Sequence, residues 1–217
     1  STLDGIAITH EHSDHISGAG VLSRRYDIPV YANEGTWKAM AKGIGNIATG
    51  NARIFDTGKD FYIHDIAVHP FATSHDAAEP VGYTLHSGGK KIAIATDLGY
   101  FPSPLLGELA DADIIRIESN HDVDLLKNGK YPSYLKKRIL SRNGHLSNDA
   151  AGEAIIKLCE KNVRRFVLGH LSKKNNRVDI ARSSVCSALE ADGIKPGYDA
   201  LVAMAYRDRT SGMYVLE

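Results

Sequence analysis

Thr9-His10-Glu11-His12-Ser13-Asp14-His15 is the stretch from which the rest of the chain is read. Three imidazoles and the Asp14 carboxylate fall within six residues, directly after a short apolar run, Gly5-Ile6-Ala7-Ile8. That run is strand-sized, so the cluster sits where a buried strand runs out into a loop. In an extended segment residues i and i+2 face the same side, so His10 and His12 can point together at one ion. Asp14 and His15 follow as the chain turns toward a helix, offering an oxygen and a nitrogen to a second ion. Imidazole nitrogen with carboxylate oxygen and no thiolate suits zinc, with manganese or iron as alternatives. The plain alternative is a chance enrichment, since the chain has ten histidines among 217 residues. Four ligand types at this spacing argue against it.

Length and composition bound the answer. A chain of 217 residues is enough for one sizeable domain with a real core and short for two. A single domain over 1–217 is therefore expected. The apolar runs are strand-sized, and none approaches the ~20 residues of a membrane span. Cys159 and Cys186 both fall in predicted helices, which argues for packing roles and a reducing, cytoplasmic compartment. The chain opens with Ser1, and nothing in the given sequence resembles a signal peptide, although a segment preceding Ser1 could hold one. Formal net charge is zero, so the whole molecule is no electrostatic magnet for nucleic acid. The distribution is uneven, however. No acidic residue lies between Asp124 and Asp149, while Lys127, Lys130, Lys136, Lys137, Arg138 and Arg142 all do. Such a run is either a solvated face or a grip on a polyanion.

Periodicity supplies the elements. Ile16, Ala19, Leu22 and Tyr26 predict one helix after the histidine cluster, and residues 34–42 predict another. Strands are expected at 28–32, 52–55, 60–63, 66–71, 81–86 and 91–96, the last two separated by the turn signal Ser87-Gly88-Gly89-Lys90. After residue 96 strands at 114–117 and 166–168 alternate with helical stretches near 105–109 and 133–140. Ser147 reads as the N-cap of a helix striped by Ala151, Ala154, Ile155 and Leu158. Val178, Ala181, Val185 and Leu189 line a further helix stopped by Gly193. A closing hairpin is expected from 200–206 and 213–216. The pattern is that of an α/β domain, hairpin-rich first and β/α-alternating later.

A two-ion site needs more ligands, and three candidates stand at predicted strand ends. They are His75 in Thr73-Ser74-His75-Asp76, Asp97 in Ala95-Thr96-Asp97-Leu98-Gly99, and His170 in Leu168-Gly169-His170-Leu171-Ser172. Each could also be an ordinary hydrogen-bonded loop residue.

The His-x-His-x-Asp-His motif, followed in order by a lone His, an Asp and a final His, resembles the metallo-β-lactamase superfamily. That resemblance implies a four-layer αββα sandwich. It also implies that one ion takes His10, His12 and His75, the other Asp14, His15 and His170, with Asp97 between them. Thr73-Ser74-His75-Asp76-Ala77-Ala78-Glu79-Pro80, Glu118-Ser119-Asn120-His121-Asp122 and Gly144-His145-Leu146-Ser147-Asn148 are similar to the YycJ/WalJ subgroup. Its members are cytosolic, and the implied activity is metal-dependent nuclease or exonuclease action on DNA. Members of that subgroup carry extra paired strands before the metal motif, so the resemblance implies either a fragment of a longer chain or a domain lacking its first N-terminal strands.

His145 is similar to the His of the Gly-His-Ser-Thr loop of tRNase Z-type nucleases, which donates a proton to the leaving oxygen. Glu118 is the carboxylate expected to back it, because a carboxylate on one ring nitrogen fixes the tautomer and raises the basicity of the other. His121 reads as substrate-facing or as a supporting residue, and Lys136, Lys137, Arg138 and Arg142 as phosphate contacts. His64, His69 and His86 fall within strand patterns and read as structural or exposed. Two divalent cations, Zn²⁺ first and Mn²⁺ or Fe next, about 3.5–4 Å apart would bring a bridging water's pKa toward ~7, with Asp97 orienting the hydroxide. The expected function is thus a phosphodiesterase or exonuclease acting on DNA. An acyl hydrolase of the thioesterase, lactonase or β-lactamase kind would use the same centre. Nucleic acid is the expected partner, a homodimer is compatible, and no membrane contact is expected.

Overall fold

The structure is a computed structural model that describes residues 3–216. It resolves into two compact units, Ser1–Ser87 and Gly88–Glu217.

In the first unit, β1 (Ile6–Ala7), β2 (Val30–Asn33) and β3 (Ala52–Phe55) are parallel and ordered β1-β2-β3. Ile6 stands opposite Val30, and Val30 opposite Ala52. Parallel neighbours need a crossover, and helices supply it. These are α1 (Ser13–Ile16), α2 (Ala19–Tyr26) and α3 (Glu34–Ile44). Ile8, Ile16, Ala19, Val30, Ala32, Met40 and Ile44 form the apolar core between sheet and helices. Asn33 caps α3 by accepting from Thr36 N at 3.0 Å.

The single helix expected after the cluster is instead two, broken at Ser17–Gly18. Its expected stripe is also misplaced: Leu22 and Tyr26 are exposed, while Ala19, Gly20 and Ser23 are buried. The reason is close approach. A Cβ at Gly20 would meet the Ile44 carbonyl oxygen at 1.9 Å, so α2 turns its small residues inward, against the end of α3.

The remaining strands of this unit are antiparallel: β4 (Phe61–Ile63), β5 (Ile66–Ala72) and β6 (Val81–Ser87). The two-residue connection from β4 to β5 places His64 at φ 52°, the left-handed conformation such hairpin turns require. Stacked rings of Phe55 and Phe61, 4.8 Å apart, pack with buried Val68, Val81 and Tyr83.

The second unit is built on four parallel strands, β7 (Lys90–Ala95), β8 (Ile114–Glu118), β9 (Arg165–Gly169) and β10 (Leu201–Met204), in that order. Its helices are α4 (Ser103–Leu109), α5 (Val123–Asn128), α6 (Ser133–Ile139), α7 (Asn148–Cys159) and α8 (Val178–Ala191). The strands are near-continuous apolar runs because both faces are covered: Ile115, Ile117, Phe166 and Leu168 are all buried. Ser147 caps α7 as the sequence predicts, accepting from Ala150 N at 3.1 Å. Helices α7 and α8 pack at Gly152, where a Cβ would lie 2.8 Å from that of Ala188.

Two sequence expectations are corrected here. α5 was not anticipated; it is six residues long and is started by Asp122, which accepts from Leu125 N at 2.8 Å. The closing hairpin does not form. Residues 213–216 carry no strand, and β10 pairs in parallel with β9, Leu201 opposite Arg165. Among the described residues no helix is long and apolar enough to cross a membrane.

Candidate functional site

Parallel strands present their carboxyl ends together, and loops leaving those ends are where open α/β sheets place ligands. In the first unit the chain leaves β1 into the histidine cluster. His12 sits in the extended conformation (φ −61°, ψ 145°) as the residue before α1, so His10 and His12 precede the helix and Asp14 and His15 lie on it. His75 arrives from the loop between β5 and β6. That loop is closed at its neck by Thr73 N donating to Pro80 O at 3.0 Å, and Ala78 N donates to Glu11 at 2.8 Å.

The result is a convergence of ring nitrogens. His12 Nδ1 lies 3.0 Å from His10 Nε2 and 3.2 Å from His75 Nε2. His10 and His75 are buried. Burial pushes the His10 ring down to about 2, and the neighbouring His15, His75 and His12 rings push it the same way, so it is neutral at ordinary pH. Neutral imidazole is the form that binds a cation. The donor set fits a zinc-type site, since three nitrogens meet at one point. Thr9 Oγ1 lies 3.1 Å from His10 Nδ1 and 3.2 Å from His15 Nδ1, holding the opposite side of both rings.

Glu79 fixes this loop to the strand ends. Its carboxylate accepts from Gly35 N at 2.9 Å and from Thr57 Oγ1 at 2.7 Å, and its carbonyl accepts from Asn33 Nδ2 at 2.8 Å. Sequence reasoning singled out neither Thr9, Glu11 nor Glu79. The Glu79 contacts span 22 to 46 residues and leave no local pattern.

In the second unit the strand register does the same work. Ala95 is opposite Ile117 and Glu118 is opposite Gly169, so Asp97, Glu118 and His170 stand side by side at the ends of β7, β8 and β9. Asp97 and His170 both hold left-handed backbone, φ 61° and φ 55°. Such a conformation in a non-glycine residue costs about 1–3 kcal/mol and marks positions that the surrounding fold over-determines.

Glu118 is fully buried and saturated with donors. Its Oε2 accepts from Leu98 N at 2.9 Å and Leu146 N at 3.0 Å. Its Oε1 accepts from His145 Nδ1 at 2.8 Å and His170 Nδ1 at 2.7 Å. Burial alone would raise the carboxyl, but the hydrogen bonds from the two rings outweigh it and hold the group ionised, well below the usual range. Asp97, Glu118, His145 and His170 offer atoms within 4.8 Å of one another. Because Nδ1 of both rings faces Glu118, Nε2 is the nitrogen each ring presents elsewhere.

The family follows from comparison. A family model described as a beta-lactamase superfamily domain matches residues 1–171. The protein named exodeoxyribonuclease YycJ from Bacillus anthracis is 46% identical over 195 residues, 90% of this chain and 74% of that protein. The chain belongs to the metallo-β-lactamase superfamily, in its YycJ/WalJ group. Exodeoxyribonuclease WalJ from Streptococcus pneumoniae is 42% identical over 199 residues, 91% of this chain and 74% of that protein. The crystal structure of the metallo-β-lactamase fold protein YhfI from Bacillus subtilis superposes with a TM-score of 0.68 at 16% identity, covering 97% of this chain and 77% of that one. That likeness speaks to the fold.

The other sequence candidates of this metallo-β-lactamase chain divide. His121 is buried, and neither ring nitrogen has a hydrogen-bond partner. Burial pushes it down to about 4, with Glu118 pulling the other way and His145 adding to the fall. In the basic segment, Lys136 Nζ donates to the Lys127 carbonyl at 2.7 Å, so it caps the end of α5. Arg142 stacks over the Tyr100 ring at 4.1 Å. Lys137 and Arg138 are exposed on α6. His69 lies in a strand, as expected, half-buried and 2.6 Å from Asp60, whereas His64 falls in the turn between β4 and β5, exposed and 3.1 Å from Asp4.

A buried amide cluster, absent from the sequence reading, ties the site loops together. Asn176 Nδ2 donates to Ser119 O at 2.9 Å, Asn120 O at 3.0 Å and Asn148 Oδ1 at 2.9 Å. Asn120 Nδ2 in turn donates to His170 O at 2.9 Å.

Proposed function

We propose that the protein is a metal-dependent exonuclease that hydrolyses phosphodiester bonds of DNA. The observation that carries this reading is the 46% identity over 90% of the chain to a protein named as an exodeoxyribonuclease. The buried Glu118–His145 pair supports it. Zinc is the proposed metal, with manganese or iron as substitutes. On the motif order, His10, His12 and His75 would hold one cation and Asp14, His15 and His170 the other, with Asp97 available to both.

When bound, such cations act as Lewis acids toward phosphoryl oxygen and lower the pKa of water. The chain's own residues would do the rest. Glu118 accepts Nδ1–H of His145, which leaves Nε2 as the atom that carries and delivers a proton. His145 would give that proton to the departing alkoxide. The same carboxylate would fix the His170 tautomer so that its Nε2 lone pair meets a cation. Asp97 would orient the attacking oxygen. Arg142, with Lys137 and Arg138, would contact flanking phosphates, which gives affinity without sequence choice.

The test loads purified protein with Zn²⁺ or Mn²⁺ and compares labelled single- and double-stranded DNA, RNA, a lactone and a thioester. Stepwise loss of nucleotides from a DNA end is the expected result. Turnover of the lactone or thioester with no phosphodiester cleavage would replace the proposal with an acyl hydrolase. Metal analysis accompanies it, with two ions per chain expected in the native protein.

A further inference from the structure

Beyond His145, on the side lined by neither Asp97 nor His170, the second unit holds a cavity of about 310 Å³ that the reaction outlined above does not use. We propose that it is a nucleobase pocket, taking the base of the nucleotide on the leaving-group side of the scissile phosphate. The inference rests on the nuclease reading and adds to it the part of the substrate that this chain grips.

Three features select a base. The first is size. The volume lies at the lower end of the range of about 300–1,000 Å³ for small-ligand sites, enough for one heterocycle and not for a folded strand. The second is the wall. Phe101 and Leu140 supply apolar surface, and Tyr100, the ring under Arg142, adds an aromatic face beside a cation. Aromatic faces and stacked guanidinium groups are what single-stranded nucleic acid packs its bases against. The third is His121. Both its ring nitrogens are buried without a partner, an arrangement that calls for a ligand or water to meet it. A neutral imidazole offers one donor and one acceptor, the pairing that the edge of a base presents in return.

The start of α7 lines the same cavity, yet it is not arranged for an anion. Asn148 N donates to His121 O at 2.9 Å and Ala150 N to Ser147 Oγ at 3.1 Å, so two of its first amide groups are already used. Glu153 in the wall also disfavours a phosphate and offsets Lys157 one turn further on. The shared wall at His145 sets the register. If that ring protonates the departing oxygen, the nucleotide carrying that oxygen is the one beside the cavity.

The experiment uses metal-free protein, so binding is read without cleavage. Single-stranded DNA hexamers bear 2-aminopurine, or an abasic site, at either end, and fluorescence and competition give affinities. The 2-aminopurine hexamer should be quenched on binding and should bind about tenfold more tightly than its abasic counterpart, the order one base–aromatic stack contributes. Ala150→Phe, which fills the cavity from a half-buried position, should abolish that difference and leave abasic binding unchanged. Phe101→Ala should weaken base-dependent binding in the same direction. Equal affinity for both hexamers would overturn the proposal. So would competition by inorganic phosphate as strong as by a deoxynucleoside, which would make the cavity a phosphate site. Base-dependent quenching in a protein that cleaves no phosphodiester under any metal would uphold the pocket and sink the nuclease reading, so the two failures are separable.

Discussion

Glu118 Oε1 accepts from His170 Nδ1 at 2.7 Å, and the same oxygen accepts from His145 Nδ1 at 2.8 Å. One buried carboxylate therefore sets the tautomer of a candidate metal ligand and of the candidate proton donor at once. Its other oxygen holds the backbone amides of Leu98 and Leu146, so the loops after β7 and before α7 are fixed by the same group.

Glu118→Gln keeps the shape and removes the charge, and one of its terminal atoms becomes a donor facing groups that already donate. Metal affinity by calorimetry and nuclease rate should each fall about 10–100-fold, the usual cost of losing such a supporting partner. A variant that binds metal and turns over within a factor of two of wild type would show that Glu118 orients neither ring.

His145→Ala separates proton donation from binding. With natural DNA the rate should drop about 10²–10⁴-fold, the typical contribution of a positioned general acid. With a p-nitrophenyl phosphodiester, whose leaving group needs no proton, the drop should shrink to a few-fold. Equal losses on both substrates would remove His145 from the proton-donating role and leave it a positional one.

The parts of the site that were legible in the sequence are those whose chemistry is local. His10, His12, Asp14 and His15 lie within one extended segment and the helix turn that follows, so spacing alone grouped them. Asp97 and His170 could be placed at strand ends because apolar strand runs have visible stops, whereas Glu118 was reached only through the resemblance that pairs a carboxylate with His145. What stayed hidden depends on pairing distant in sequence. Asn176 reaches carbonyls 56 and 57 residues away, and nothing near Asn176 announces them. Leu201–Met204 reads equally well as a hairpin arm or a parallel strand, and only its pairing with Arg165–Leu168 decides. The break at Ser17–Gly18 leaves no mark in the sequence, because the buried side of α2 is made of Ala, Gly and Ser, which carry no hydrophobic signal.

Gly35 tests how the His75 loop is held. A Cβ there would lie 2.7 Å from Glu79 Cβ and 2.8 Å from Glu79 Oε2. Gly35→Ala should therefore force Glu79 away, breaking its bonds to Gly35 N and Thr57. Overpacking of this kind costs about 1–3 kcal/mol, read as a lower urea midpoint with an unchanged slope. Glu79→Gly removes both atoms in the way, so the double variant should be no less stable than Glu79→Gly alone. If Gly35→Ala is neutral, the loop has room that the structure does not show.

The imidazoles also set an acid limit for the metal-free protein. His10 titrates at about 2 and His121 at about 4 when folded, both depressed by burial, against an ordinary value of 6.5. Between roughly pH 6.5 and 4 the unfolded chain therefore binds protons at these positions that the folded chain refuses. Stability rises with pH wherever the unfolded state binds more protons, so the contribution is complete above pH ~6.5 and is lost as pH falls. Each ring adds a slope on the order of 1 kcal/mol per pH unit across that window. Urea unfolding of EDTA-treated protein from pH 7.5 to 4.5 should show a midpoint that begins to fall near pH 6.5. The His121→Phe variant, which cannot take up that proton in either state, should show a shallower fall. Bound metal should raise the midpoint and make its fall with pH steeper, because a coordinated ring takes up no proton in the folded form while the unfolded chain still does. A midpoint that stays level down to pH 5 in the metal-free protein would mean that the His10 cluster is open enough to water to protonate without unfolding.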